Sequence, residues 1–390
     1  MSHLPSIVGV GSTAYYRRGQ SVPRTSLELA TEAILGAVDD AGVKSSDIDG
    51  FAMYSGGLQV PVLAQVLGIP DLGFTAALTG GGGGSAGAIG LAAAAIESGL
   101  AHVVVVAMVV QQAAYRLGRG DATTGPYAFR PTAETDFSVP FGWVSPAQKY
   151  AMSTQRHMHL YGTTREHFAE VAISSRENAR RRPGALMQQP LDLDAYFSAP
   201  LLSDPLCLYD YCLESDGAVA VVITSANRAR DLRQRPVRIR GTAMGGDGRY
   251  GPQVAWANAP DDYLASAFSR AVAKRLYNAA GIGPQEVNVA LLYDHFSPMV
   301  LFQLEDYGFC PPGASGEFVA GGNIRWPGGS LPVNTHGGHL SEAYVMGMTH
   351  VREAVEQLRG TAINQVKGAE VALVTGGPAM IPVSAAILTV

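Results

Sequence analysis

The sequence predicts an α/β protein with a duplicated, layered fold, in which helices cover two mixed sheets. Three observations carry this expectation. The chain of 390 residues is 47% hydrophobic and only 16% charged, with 46 glycines, which is the profile of a heavily buried α/β chain rather than a disordered or fibrous one. Near-continuous apolar runs alternate with helical patterns, so the strands are expected to be buried on both faces. One segment also repeats without a gap, Ala41–Tyr54 against Ala280–Tyr293, and such self-similarity marks an internal duplication.

The elements follow in order. Ile7–Thr13 reads as an opening strand. Leu27, Ala30, Ile34, Ala37, Val38 and Ala41 lie at helical spacing within Ser26–Ala41. Gly42 then stands where a C-cap glycine belongs, and a short apolar strand ends at Tyr54. Gly80–Gly84 open a helix to about Ser98, followed by the strand His102–Met108. From about 109 to 202 the chain is polar and rich in aromatics, with one convincing helix, Arg165–Arg181. This stretch reads as an insertion over one edge of the core, a place where inserts often shape pockets. The second half repeats the order: a helix from about Asp262 to Ala280, Gly281, and a strand to Tyr293. Asn334–Gly338 then open a helix to about Arg359, followed by the strand Glu370–Thr375. The expected units are an N-terminal half, 1–225, which carries the insertion, and a C-terminal half, 226–390.

Charge and cysteine usage exclude several function classes. The net charge is −5 and no basic stripe is present, so neither nucleic acid nor an anionic membrane is an expected partner. The run Arg180-Arg181-Arg182 reads as a solvated face, with a CoA phosphate site as the alternative. Three cysteines, Cys207, Cys212 and Cys310, are too few for a disulfide framework and lack zinc-ligand spacing. A reducing, cytoplasmic setting is expected, with neither a signal peptide nor a membrane span.

Five stretches occur in a specific order: Ile7-Val8-Gly9-Val10-Gly11-Ser12-Thr13, Tyr161-Gly162-Thr163-Thr164, Arg176-Glu177-Asn178-Ala179, Asp216-Gly217-Ala218-Val219-Ala220 and Asn334-Thr335-His336-Gly337-Gly338. Together they resemble the thiolase superfamily over nearly the full chain. The resemblance implies a nucleophilic cysteine at a helix N-terminus, where the helix dipole lowers the thiol pKa. Here that stretch is Gly84-Ser85-Ala86-Gly87, so Gly84 replaces the nucleophile and Ser85 is displaced by one residue. The family's His-Asp-Cys-Phe becomes Tyr293-Asp294-His295-Phe296, and the histidine of its Gly-His-Pro falls at Tyr344. Its C-terminal Cys-x-Gly-Gly falls at Val374-Thr375-Gly376-Gly377. No cysteine stands at a catalytic position, which argues against chemistry through an acyl-enzyme.

The tyrosine-for-histidine pattern resembles the thiolase-like aldolases of bacterial steroid side-chain breakdown. That resemblance implies retro-aldol cleavage of a β-hydroxyacyl-CoA, giving a 17-ketosteroid and propionyl-CoA, with a zinc-ribbon plus OB-fold partner protein and a homodimeric core. The reaction needs a base, an acid and enolate stabilisation, but no nucleophile. Tyr293 and Tyr344 are expected as the acid/base pair, and His295 as an assisting group. Backbone amides near Gly83, Gly84, Gly337 and Gly338 are expected to hold the thioester oxygen, with His336 facing the substrate. His336 and His339 have the i, i+3 spacing of a metal pair but no third ligand, so no metal is expected. No cofactor beyond the substrate's CoA is expected either. Asp294 is expected to orient a neighbour or cap a turn. The alternatives are a non-catalytic acyl-CoA or sterol-binding scaffold, and a thiolase acting through Ser85.

Overall fold

The computed structural model describes residues 4–54, 58–78, 81–112, 136, 139–143, 145–246, 264–379 and 382–390. The strands are β1 (Ser6–Ser12), β2 (Tyr16–Arg17), β3 (Gly50–Tyr54), β4 (Phe74–Leu78), β5 (Val103–Val110), β6 (Leu201–Ser203), β7 (Leu206–Cys207), β8 (Ser215–Thr224), β9 (Val237–Gly245), β10 (Val289–Leu291), β11 (Val371–Gly376) and β12 (Val383–Thr389). The helices are α1 (Ser26–Ala41), α2 (Val60–Leu67), α3 (Gly84–Glu97), α4 (Pro146–Tyr161), α5 (Arg165–Arg180), α6 (Leu193–Ser198), α7 (Ala226–Ala229), α8 (Arg270–Ala280), α9 (Ser297–Asp306), α10 (Ser315–Ala320), α11 (Gly338–Ser341) and α12 (Met348–Arg359).

The duplication is visible in the strand order. The large sheet runs β10-β11-β12-β9-β1-β8-β5-β3-β4. Outward from its centre, β1-β8-β5-β3 in one half matches β9-β12-β11-β10 in the other. The pairings match too: β3∥β5 and β10∥β11 are parallel, while the inner pairs are antiparallel. The two strand sets, expected as separate sheets, are joined by a short antiparallel link, Ser6 with Arg238 and Ile7 with Val237. The repeated helix–turn also recurs, since α1 and α8 both end on a left-handed glycine, Gly42 and Gly281. Thr25 and Glu28 form a capping box at the start of α1, satisfying backbone donors that the helix itself leaves open.

Period-2 alternation produces the layers. In β5, Val103, Val105, Ala107 and Val109 pack on α1 and α2. Val104, Val106, Met108 and Val110 face the opposite side, in one core with Ala88, Ile89 and Ala92 of α3 and Val351, Ala354 and Val355 of α12. The second half supplies Ala372 and Val374 of β11 and Ala386 and Leu388 of β12 to that same core, so α3 and α12 lie between the two strand sets. The remaining faces, Leu373, Ala385 and Ile387, pack with α4, α5, α8 and α9. All of β5, β8 and β12 is buried, as continuous apolar runs in a doubly covered sheet require.

Three expectations change. The helix expected from Asn334–Gly338 to Arg359 is two helices, α11 and α12, with a break in which Met346 (φ 46°) and Gly347 (φ 89°) are left-handed. Tyr344 therefore lies in a link between helices. The stretch expected to hold one helix contains α4 and α6 as well as α5 among its described residues. The arginine run is not a solvated face throughout, because Arg182 is buried and bonded to Glu342, Glu353 and Glu356 at 2.6, 2.9 and 2.6 Å. No described helix is long and apolar enough to cross a membrane.

Candidate active site

Two tyrosines meet where the middle helical layer reaches the sheet ends. Tyr293 follows the end of β10, Tyr344 sits between α11 and α12, and their hydroxyl oxygens are 3.0 Å apart. Both are buried, Tyr293 2% and Tyr344 6% exposed. Gly82, just before α3, lies against the first of them, and a Cβ there would fall 2.4 Å from the Tyr293 hydroxyl. Only a residue without a side chain lets the start of α3 approach this closely.

The backbone around each tyrosine is held by buried polar side chains. The Tyr293 N–H donates to Thr375 Oγ1 at 2.9 Å, Thr375 donates to Gln303 Oε1 at 2.6 Å, and Gln303 Nε2 donates to the Tyr293 carbonyl at 2.9 Å. This closed ring ties β10 to β11 and α9. Tyr344 is held by one hydroxyl: its N–H donates to Ser215 Oγ at 2.9 Å, and Ser215 donates to its carbonyl at 3.0 Å. Asn334, left-handed at φ 47°, exchanges two hydrogen bonds of 2.8 Å with the backbone of Leu292. That is the physical work of the first residue in Asn-x-x-Gly-Gly: its amide continues the ladder where the strand has ended. Asp216 accepts from Gly19, Ser21 and Gln112, fixing the loops beside β8. The sequence reading named neither Ser215, Gln303 nor Thr375 as part of the site. Ser215 adjoins the Asp216 motif and Thr375 lies in the Val374–Gly377 stretch, but only the fold shows that each holds a tyrosine.

Asp294 is the buried hub behind Tyr293. It caps α11, accepting from the His339 and Leu340 amides at 2.9 and 3.3 Å. A Cβ on Gly338 would lie 2.0 Å from its Oδ2. The cap narrows one expectation: the His339 and Leu340 amides, just after Gly337 and Gly338, hold the protein's own carboxylate and are not free for an acyl oxygen. Gly337 instead gives α11 close approach to Ala179 of α5. By contrast, no side chain caps α3 at Gly83, so Gly83 and Gly84 keep the property that made them candidates.

Four imidazoles surround this hub, and they are not equivalent. His339 Nε2 accepts from the Gly347 N–H at 3.0 Å, so its proton is on Nδ1, which faces Asp294 at 3.4 Å. His350 Nε2 lies 2.9 Å from the Leu292 carbonyl and 3.1 Å from Asp294, and therefore carries a proton. Asp294, His339 and His350 come together closely enough to suggest a metal site, with ligand atoms within 4.8 Å. The hydrogen bonds argue otherwise, because the nitrogens facing Asp294 are both N–H donors and offer no lone pair to a cation. His336, expected to face substrate, packs on His350 with ring centroids 4.7 Å apart and lies 3.9 Å from Glu342. Burial, and then the neighbouring His350, hold its pKa well below that of a free histidine. It is thus a neutral neighbour of Glu342 rather than an ion-pair partner.

His295 stands with Tyr293, as expected, at a ring-centroid distance of 5.3 Å. Its other ring neighbours are Tyr150 at 4.3 Å and Phe296 at 5.0 Å. Burial, reinforced by the charge of Lys149, lowers its pKa to about 3. A pKa that low makes it a weak base near neutral pH, so the assistance expected of it is not that of a proton acceptor. Lys149 was absent from the sequence-derived set, yet it is buried and donates to the Ala379 carbonyl at 2.9 Å. Its sequence context, an ordinary amphipathic helix, gives no sign of that position. Ser85 is fully buried and its hydroxyl has no hydrogen-bond partner among the described residues. A serine nucleophile would need an adjacent base.

Comparison with known proteins bears on the family and the fold. A family profile described as "Thiolase C-terminal domain-like" matches residues 254–389. The chain is 37% identical to the 17-hydroxy-3-oxo-4-pregnene-20-carboxyl-CoA lyase of Mycobacterium tuberculosis, covering 100% of both chains. It is 38% identical to a steroid side-chain-cleaving aldolase of Thermomonospora curvata, covering 100% of this chain and 99% of that one. A solved structure named Ltp2-ChsH2(DUF35) aldolase superposes with a TM-score of 0.89 at 36% identity, over 99% of this chain and 97% of that chain.

Proposed function

The chain belongs to the thiolase superfamily, among its steroid side-chain-cleaving aldolases, and is a carbon–carbon lyase of that fold; from this premise we propose that it cleaves a steroid side-chain β-hydroxyacyl-CoA through a tyrosine pair. The observation that carries the proposal is the 3.0 Å hydrogen bond between Tyr293 and Tyr344, beside a helix start where Gly84 replaces the superfamily's nucleophile. The relatives' names supply the substrate class, a CoA thioester of a 17-hydroxysteroid side chain.

A lone tyrosine is a poor base, with a pKa of about 10. A hydrogen bond donated to its oxygen stabilises the tyrosinate and lowers that value. In the pair, either hydroxyl can be the donor, so one tyrosine supports the ionised form of the other. The tyrosinate removes the proton from the β-hydroxyl. The Cα–Cβ bond then breaks, the hydroxyl carbon becomes a ketone, and the bonding electrons move to the thioester as an enolate. Protonation of Cα by the tyrosine completes the reaction and restores the pair. The products are a 17-ketosteroid and propionyl-CoA. Amides at the uncapped start of α3, at Gly83 and Gly84, hold the thioester oxygen as charge develops.

A partner of the zinc-ribbon plus OB-fold kind is part of the proposal, supported by the solved relative whose name joins Ltp2 to ChsH2(DUF35). The homodimer rests on resemblance alone. The deciding experiment measures ketone release from a β-hydroxyacyl-CoA with a tertiary steroid alcohol, with the partner present. Wild type and Ser85→Ala should turn over, whereas Tyr293→Phe and Tyr344→Phe should not, with near-UV circular dichroism unchanged. Binding by wild type without ketone release would replace the aldolase with a scaffold that binds acyl-CoA.

A further inference from the structure

The histidines around Tyr293 differ in one respect that the acid/base scheme does not use. His339 and His350 are fully buried and bonded through their ring nitrogens to Gly347, Leu292 and Asp294. His336 is sealed against Glu342. His295 and His336 both have two ring nitrogens that are buried and without a hydrogen-bond partner among the described residues, but His295 is the more exposed residue of the two, 9% against 1%, and the one whose ring meets that of Tyr293. A buried polar group without a partner carries an uncompensated desolvation cost, so a fold retaining one invites the ligand that satisfies it.

We propose that His295 is a catalytic residue of the aldol cleavage, a neutral imidazole whose N–H donates to the thioester oxygen as that oxygen becomes an enolate. This inference rests on the aldolase reading and adds a specific role to it. The geometry places the ring within reach of the same substrate as the tyrosines: its centroid is 5.3 Å from that of Tyr293, whose hydroxyl meets Tyr344. The groups facing His295 are Tyr293, Tyr150 and Phe296, with Lys149 as the cation acting on it. Among the described residues no carboxylate bonds to either nitrogen, so none of them draws a second proton onto the ring. Burial and Lys149 keep it unprotonated at working pH, and a neutral imidazole holds one N–H donor at all times. Such a donor stabilises an enolate oxygen without transferring its proton, as neutral imidazoles do at other carbonyl-polarising sites. The tyrosines keep both proton transfers, and the imidazole leaves each turnover unchanged.

The test compares wild type with His295→Leu, His295→Gln and His295→Asn, with the partner present and the steroid β-hydroxyacyl-CoA as substrate. Loss of one enolate-stabilising donor should lower kcat by about 10²–10³-fold in the Leu variant. KM should stay within a few-fold. One of the amide variants should recover to within about tenfold of wild type: Gln if Nε2 is the donor, Asn if Nδ1 is. The pH midpoints of kcat should not move. Exchange of the α-protons of propionyl-CoA in D2O, which needs the enolate but no cleavage, should fall by the same factor. Leu turning over within about threefold of wild type would overturn the role, with the aldolase reading intact. So would Gln and Asn as inactive as Leu with a missing acidic limb, the signature of a proton-transferring histidine. Wild type that neither cleaves nor exchanges would remove the aldolase reading itself, and this inference with it.

Discussion

Replacing Tyr293 or Tyr344 by phenylalanine removes one oxygen from a 3.0 Å pair and leaves the ring packing in place. Each single change is expected to lower kcat by about 10²–10⁴-fold, the range of general acid–base catalysis. The double variant should be little worse than either single one, because groups acting as a unit are not additive. Multiplying losses in a cycle of the four proteins would show that the tyrosines act independently. His295 gives a prediction in stability. Its pKa in the folded protein is about 3, against about 6.5 in the unfolded chain. Below pH 6.5 the unfolded chain binds a proton that the folded imidazole refuses. Its contribution is therefore full above pH 6.5 and is lost as pH falls toward 3. At pH 5 the His295→Phe variant should take up about one proton fewer on unfolding than wild type. Calorimetry in buffers of different ionisation enthalpy measures this, and equal uptake would show that His295 is not held neutral. The sequence placed Tyr293, Tyr344 and His295 together through motif positions. It did not reveal that His295 is a poor base, because a side chain's pKa is set by burial and by Lys149, far away in the chain.

Breaks between elements position the site as much as the elements do. Gly347 sits at φ 89°, and a Cβ there would lie 2.6 Å from Ser85 Oγ and 3.1 Å from Tyr293 Cδ2. Gly347→Ala should destabilise the protein by about 1–3 kcal/mol through backbone strain, with a loss of kcat from displacement of Tyr293. Urea unfolding and steady-state turnover measure the two effects, and a variant with wild-type values for both would show that the α11–α12 break adapts freely. This break was not legible as a break. The residues from Asn334 to Arg359 carry helical spacing, and Gly347 by itself is a tolerated helix residue. What ends α11 is a tertiary demand, the seating of Tyr344 on Ser215 and of His339 on Gly347. The strands were easier to read, because a run such as Val103–Val110 has no solvated face to interrupt its apolar pattern.

At the scale of the whole molecule, one buried network fastens the end of α5 to the Tyr344 segment and α12. Arg182 bonds to Glu342, Glu353 and Glu356, and Arg352 bonds to Glu342 and Tyr15. Arg182→Met would leave three carboxylates facing a lost charge, which should cost about 3–5 kcal/mol. The urea midpoint should fall accordingly, and an unchanged midpoint would mean that the network contributes nothing to stability. By itself the sequence determined the α/β class, the duplication, the superfamily and the loss of its cysteine chemistry. These are written in local periodicity and in ordered motifs, and neither depends on where distant residues meet. The tertiary structure alone decided that the two halves share one sheet, that Asp294 fills the α11 N-terminus, that Arg182 is buried, and that the His295 ring nitrogens have no hydrogen-bond partner among the described residues. Each of those facts is a contact or a burial between residues far apart in the chain, and such relations exist only once the layers have closed.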